Sequence, residues 1–92
     1  MAKTEITLAG SVDIRTLLPI LTETENQARR SEGGLCLELD CFAVDDFTSL
    51  SLAQLVRSRR ALREHGADLV LLGGSERLRS RMVHPLFEGL CG

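Results

Sequence analysis

Residues 35–56 read LCLELDCFAVDDFTSLSLAQLV, and the hydrophobic period changes partway along them. Leu35-Cys36-Leu37-Glu38-Leu39 is apolar on both faces except at Glu38, the pattern of a central strand. From Leu52 the spacing lengthens. Leu52, Leu55, Val56, Arg59 and Leu62 recur at i, i+3, i+4, i+7 and i+10, one helical stripe broken only by Arg59. Between the two, Asp40 to Ser51 is rich in Asp, Ser and Thr and reads as a loop running into that helix. Thr48 or Ser49 supplies the N-cap, and Gly66 stands at the C′ position that favours glycine.

On the N-terminal side, Glu5-Ile6-Thr7-Leu8-Ala9 alternates polar and apolar, a half-buried strand closed by Gly10. From Asp13 to about Arg29, Leu17, Leu18, Ile20, Leu21 and Ala28 form a weaker helical stripe. Pro19 fits only a first turn, which places the helix start near Leu18 with Thr16 or Leu17 as cap, and Ser31-Glu32-Gly33-Gly34 ends it. On the C-terminal side, Asp68-Leu69-Val70-Leu71-Leu72 reads as a strand buried on both faces and closed by Gly73-Gly74. Ser75 then caps a short helix carrying Leu78, Met82 and Val83 inward before Pro85. Strand and helix alternate three times. That order predicts an α/β fold with right-handed crossovers, a small and mostly parallel sheet with helices packed on it, in a single domain over residues 1–92.

The chain has 92 residues and a mass of 10.1 kDa, with 43% hydrophobic and 26% charged residues, which is ordinary globular usage and argues against disorder. Its longest apolar run, Leu69 to Leu72, is far below the roughly 20 residues a membrane span requires, so no direct membrane insertion is expected. Met1 to Glu5 contains no apolar signal core, making the cytoplasm the expected compartment. A chain this size buries only about 60% of its unfolded surface, and a partner that completes the burial is expected.

The formal net charge of −2 gives no global basic field for nucleic acid. The arginines at 57, 59, 60 and 63 and at 77, 79 and 81 read as solvated helix faces with acidic neighbours such as Glu64 and Glu76. Cys36, Cys41 and Cys91 lack CxxC spacing and read as reduced thiols, with Cys36 a small core hydrophobe. His65 and His84 have no partners at metal-ligand spacing, and Asp40, Asp45 and Asp46 lack the further oxygen ligands a calcium loop supplies. Gly73-Gly74 is not GxGxxG, no serine lies in GxSxG, and no Cys–His pair is indicated. No cofactor, metal or catalytic residue is therefore expected. What remains is Thr48-Ser49-Leu50-Ser51, three hydroxyl residues opening an amphipathic helix; a cap is the favoured reading, and a phosphate on the same free N–H groups is the functional alternative.

Three stretches together resemble the STAS domain of the anti-sigma-factor antagonists. Ile6 to Asp13 resembles the family's strand followed by G-E-L-D, Leu35 to Leu55 its strand, loop and D-S-x-G-L helix start, and Leu69 to Leu78 its next strand, glycine turn and short helix. In the family an apolar residue precedes the motif's aspartate and others follow at +4, +7 and +8. Setting Thr48 at the aspartate position puts Phe47, Leu52, Leu55 and Val56 at those places, whereas setting Asp46 there would bury Gln54. In that register the family's usual phosphoacceptor falls on Leu50, the aspartate is Thr48 and the glycine is Ser51, so the phosphoswitch is expected to be lost. Ser49 and Ser51 remain the candidate phosphorylation sites.

The resemblance implies a non-catalytic regulatory module that docks an anti-sigma factor or serine-kinase-like protein. Its partner-binding residues would be Gly10, Asp13, Asp45, Asp46, Phe47, Thr48, Ser49, Ser51 and Leu52. The alternative it implies is the STAS subunit of a lipid-transporting ABC complex, docked on the ATPase subunit. Relative to the family, an initial strand is expected to be missing and the final strand and helix cut back. An open sheet edge or apolar face of that kind would favour a homodimer or an obligate complex.

Overall fold

The computed structural model describes residues 2–31 and 34–91. Its elements run β1 (Ala2–Val12), α1 (Ile14–Arg30), β2 (Leu35–Phe47), α2 (Ser49–Glu64), β3 (Asp68–Leu72), α3 (Glu76–Arg81) and a 3-10 turn at Pro85–Phe87. The three strands form one parallel sheet in the order β1-β2-β3, the expected α/β arrangement. Successive crossovers step the same way along the sheet, so α1 and α2 share a face and pack against each other. No helix among the described residues is long and apolar enough to cross a membrane.

Under those helices lie Leu37 and Leu39 of β2, Leu69 and Leu71 of β3, Leu17 and Leu21 of α1, and Leu55 and Leu62 of α2, all but sealed from solvent. The opposite face differs from the expectation. Cys36, Glu38 and Asp40 alternate outward from β2 and are half-buried, while the neighbouring Lys3, Glu5 and Thr7 of β1 are exposed. β2 is therefore buried on one face only, and Cys36 is not a core residue. The core thiol is Cys41, which burial pushes up to about 12, so it stays neutral at ordinary pH.

β2 does not stop at Leu39. It continues through the segment expected to be a loop as far as Phe47, leaving Thr48 alone between strand and helix. The pairing explains why alternation fails there. Thr7 faces Asp40 but Ala9 faces Ala43, and Gly10 faces Val44 but Ser11 faces Asp46. β2 thus carries one extra residue at each of two bulges, and its inward positions fall on Cys41, Val44 and Phe47, three apart rather than two. β1 is likewise longer than Glu5–Ala9. It passes through Gly10, whose φ of +71° lies in the left-handed region that glycine tolerates.

α1 starts at Ile14, not near Leu18, and neither Thr16 nor Leu17 is its cap. The cap is Asp13, whose carboxylate accepts the Thr16 N–H at 3.0 Å and lies below its ordinary pKa because of that bond. Pro19 therefore sits inside the helix, at a cost of about 3 kcal/mol or more. Burial overrides it: Leu17 and Leu21 are one turn apart on either side of the proline, and both must be helical to reach the core. The stripe continues through Thr24, whose hydroxyl donates to the Ile20 carbonyl at 2.9 Å, and Ala28. Of the expected stop at Ser31–Gly34, residues 32 and 33 lie outside the described residues.

α3 is six residues long and capped by Ser75, whose hydroxyl accepts the Leu78 N–H at 3.1 Å. Leu78 and Met82 are buried as expected, but Val83 is 83% exposed because the helix has ended before it. Beyond the 3-10 turn, the Leu71 N–H donates to the Leu90 carbonyl at 2.8 Å, and Cys91 bridges Leu71 in parallel, so the chain returns beside β3.

Candidate functional site

Thr48 is both the joint between β2 and α2 and the N-cap of α2. Its backbone N–H donates to the Val12 carbonyl at 3.0 Å, and its Oγ1 accepts the Ser51 N–H at 3.3 Å. Its hydroxyl also donates to Ser51 Oγ at 3.0 Å, and the Ser51 hydroxyl passes on to the same Val12 carbonyl at 3.2 Å. Ser51 is wholly buried, and this relay gives its hydroxyl a partner on both sides. The end of β1 is thereby fastened to the first turn of α2. Phe47, Leu52 and Leu55 are buried and Val56 half-buried around this joint, which fixes how α2 leaves the sheet.

A second fastening comes from α3. Asp46, with only 14% of its side chain exposed, lies 2.7 Å from Arg81 Nη1 and 3.3 Å from Arg77 Nε. Asp46 Oδ1 also accepts the Phe47 N–H at 2.9 Å. Arg81 donates further to the Phe47 carbonyl at 2.6 Å and to Ser49 Oγ at 3.3 Å, spanning the strand end and the helix start in one fork. Asp45 is exposed, and its carbonyl accepts the Ser75 hydroxyl at 2.7 Å. Arg81, Arg77 and Ser75 are contributors that the reading of solvated arginine faces passed over. A signal was present: residues 77 and 81 are one helical turn apart, which puts two guanidinium groups on one side of α3 for an aspartate to meet.

The nine candidate residues fall into two groups. Asp45, Asp46, Phe47, Thr48, Ser49, Ser51 and Leu52 form a continuous joint, with Asp13 entering through its chain neighbour Val12. Gly10 lies further back, at the second bulge, paired with Val44. Thr48, Ser49 and Leu50 are exposed, Leu50 at 69% despite being apolar. Of the two candidate phosphorylation sites, Ser49 is open to solvent and Ser51 is enclosed. Asp40 lies away from the joint, on β2, where its carboxylate accepts the Phe42 N–H at 3.1 Å. Among the described residues no three His, Cys, Asp or Glu side chains gather as a metal site would require.

The arrangement is a platform fastened by side-chain bonds. It exposes Leu50 and the hydroxyl residues Thr48 and Ser49 at the start of α2, braced from β1, β2 and α3. No family model and no curated protein matches the chain.

Proposed function

We propose that the chain is a non-catalytic regulatory binding module, STAS-like and cytoplasmic, that docks an anti-sigma factor of the serine-kinase-like kind through the start of α2. The observation that carries this reading is Leu50, an apolar side chain 69% exposed on a braced first helical turn, where an interface would bury it. Asp13, Asp45, Thr48 and Ser49 are the exposed polar residues among the candidates. Leu50 cannot accept phosphate. The module is then constitutively competent to bind, with Ser49 the one accessible candidate hydroxyl of the two.

The same observation supports a second reading, a fixed STAS subunit on the ATPase of a lipid-transporting ABC complex, because a permanent subunit has no need of a switched serine. Affinity capture from the native cytosol followed by mass spectrometry separates the two, a kinase-like anti-sigma factor supporting the first and an ABC ATPase the second. With the captured partner in hand, Ser49→Glu and Leu50→Asp should each weaken binding by about tenfold or more. Unchanged affinity in both variants would remove the start of α2 from the interface.

A further inference from the structure

A second surface adjoins that platform and shares Ser49, Leu52 and Arg81 with it. Two adjoining troughs of about 430 and 530 Å³ run along α2 beside the segment 84–90, and they share Val56 and Leu86. The floor is apolar: Leu52, Val56, Leu86, Phe87 and Leu90. The far wall is held in place by Arg59, whose Nη1 donates to the Glu88 carbonyl at 2.9 Å while its Nε pairs with Asp68 at 3.1 Å. Arg59 and Arg81 are thus neutralised from within. Arg57, Arg60 and Arg63 also border the troughs, and among the described residues no carboxylate lies within ion-pair distance of any of them. Among the described residues that line the troughs the one acid is Glu64, so a cationic patch stands on a chain of net charge −2.

We infer that this groove is a docking site for an acidic amphipathic helix of a partner protein. Each feature narrows the occupant. The troughs are open along their length, so a small molecule would not be enclosed to the degree typical of ligand sites. The floor is built on a helix whose backbone is internally bonded, so an added strand would find no ladder to join. The 16 residues of α2 span about 24 Å, room for roughly four turns of a helix laid alongside. Apolar side chains at i, i+3, i+4 and i+7 would cover Val56 and Leu86, and flanking Glu or Asp would meet Arg57, Arg60 and Arg63. The groove does not depend on the proposed docking at Leu50.

The test uses the full chain and a fluorescently labelled synthetic peptide of about four helical turns, with leucines on one face and glutamates on its flanks. A control peptide carries lysine at every glutamate position. Saturable anisotropy binding of the acidic peptide is expected, about tenfold or more tighter than the lysine peptide and weakening as salt rises. Because Arg60 and Arg63 are exposed, the double variant Arg60→Glu with Arg63→Glu should keep its circular dichroism spectrum and lose about tenfold or more in affinity. Amide chemical shifts should move at residues 52–63 and 84–90 and not at Asp13 or Asp45, which separates this surface from the one around Leu50. Equal binding of both peptides, or an unaffected double variant, overturns the proposal. So does a wild-type dimer that the double variant dissolves, since the groove would then hold a second copy. Uptake by phosphatidylglycerol vesicles without peptide binding would overturn it as well.

Discussion

The two ends of α2 use the same residue type in opposite ways. At its start, the Arg81 guanidinium is spent on Asp46, the Phe47 carbonyl and Ser49, and the buried hydroxyl of Ser51 closes on Val12. Along its far half, Arg60 and Arg63 stand over an apolar floor with no carboxylate within ion-pair distance among the described residues. The first end is fastened, whereas the second is held at Arg59 and left open at Arg60 and Arg63. An arginine that meets its aspartate inside the fold contributes rigidity, and one that does not contributes attraction for something outside.

The contrast makes its largest claim on stability. Arg81→Ala removes the main partner of an aspartate that is mostly hidden and should cost about 2 kcal/mol, below the value for a fully buried pair because Arg81 itself is 33% exposed. Arg60→Ala should stay within about 0.5 kcal/mol of wild type. Urea unfolding of the two variants measures both. Equal losses would abolish the distinction between a fastened and an open end.

Thr48→Ala sharpens what the fastening is made of. Losing the cap hydroxyl should cost about 1 kcal/mol, and Thr48→Ser should recover most of it, because the bond to the Ser51 N–H is restored. If alanine proves as stable as wild type, the backbone bond from Thr48 to Val12 holds the joint without the side chain.

What the sequence discloses differs between the same regions. The α/β order, the Thr48 cap, the Gly66 stop and the Leu52–Leu62 stripe are all local, set by period and capping chemistry within a few residues, and each is readable. The continuation of β2 to Phe47 is not, because two bulges move its inward residues from every second to every third position and the polar Asp45-Asp46 then imitates a loop. The start of α1 was hidden for another reason. Pro19 is a strong local signal against an early start, and only the burial of Leu17 and Leu21 against the sheet, a tertiary fact, outweighs it. The joint itself was half legible: its hydroxyls and carboxylates lie together in sequence, while Arg81 arrives from 35 residues away. Nothing local links Asp46 to Arg81, although the spacing of Arg77 and Arg81 offered the complementary half.

The smallest expected effect concerns the second cap at the same joint, Asp13, one residue beyond Val12. Its carboxylate sits below its ordinary pKa of 3.8, chiefly because it accepts the Thr16 N–H. A folded-state pKa below the unfolded one means that the charged form stabilises the fold. That contribution is complete above the unfolded value and disappears as pH falls through the folded one. Asp13→Asn keeps a competent cap that does not titrate, so the stability difference between wild type and Asp13→Asn isolates the charge. The difference should be flat from neutral pH down to about pH 5 and then shift in favour of asparagine as the solution becomes more acidic. Asp13→Ala should be less stable than both across the whole range, since it removes the acceptor as well. A wild-type advantage that persists unchanged through pH 3 would mean that the carboxyl is not working as a charged cap, and that α1 is held at its start by Leu17 and Leu21 rather than by Asp13.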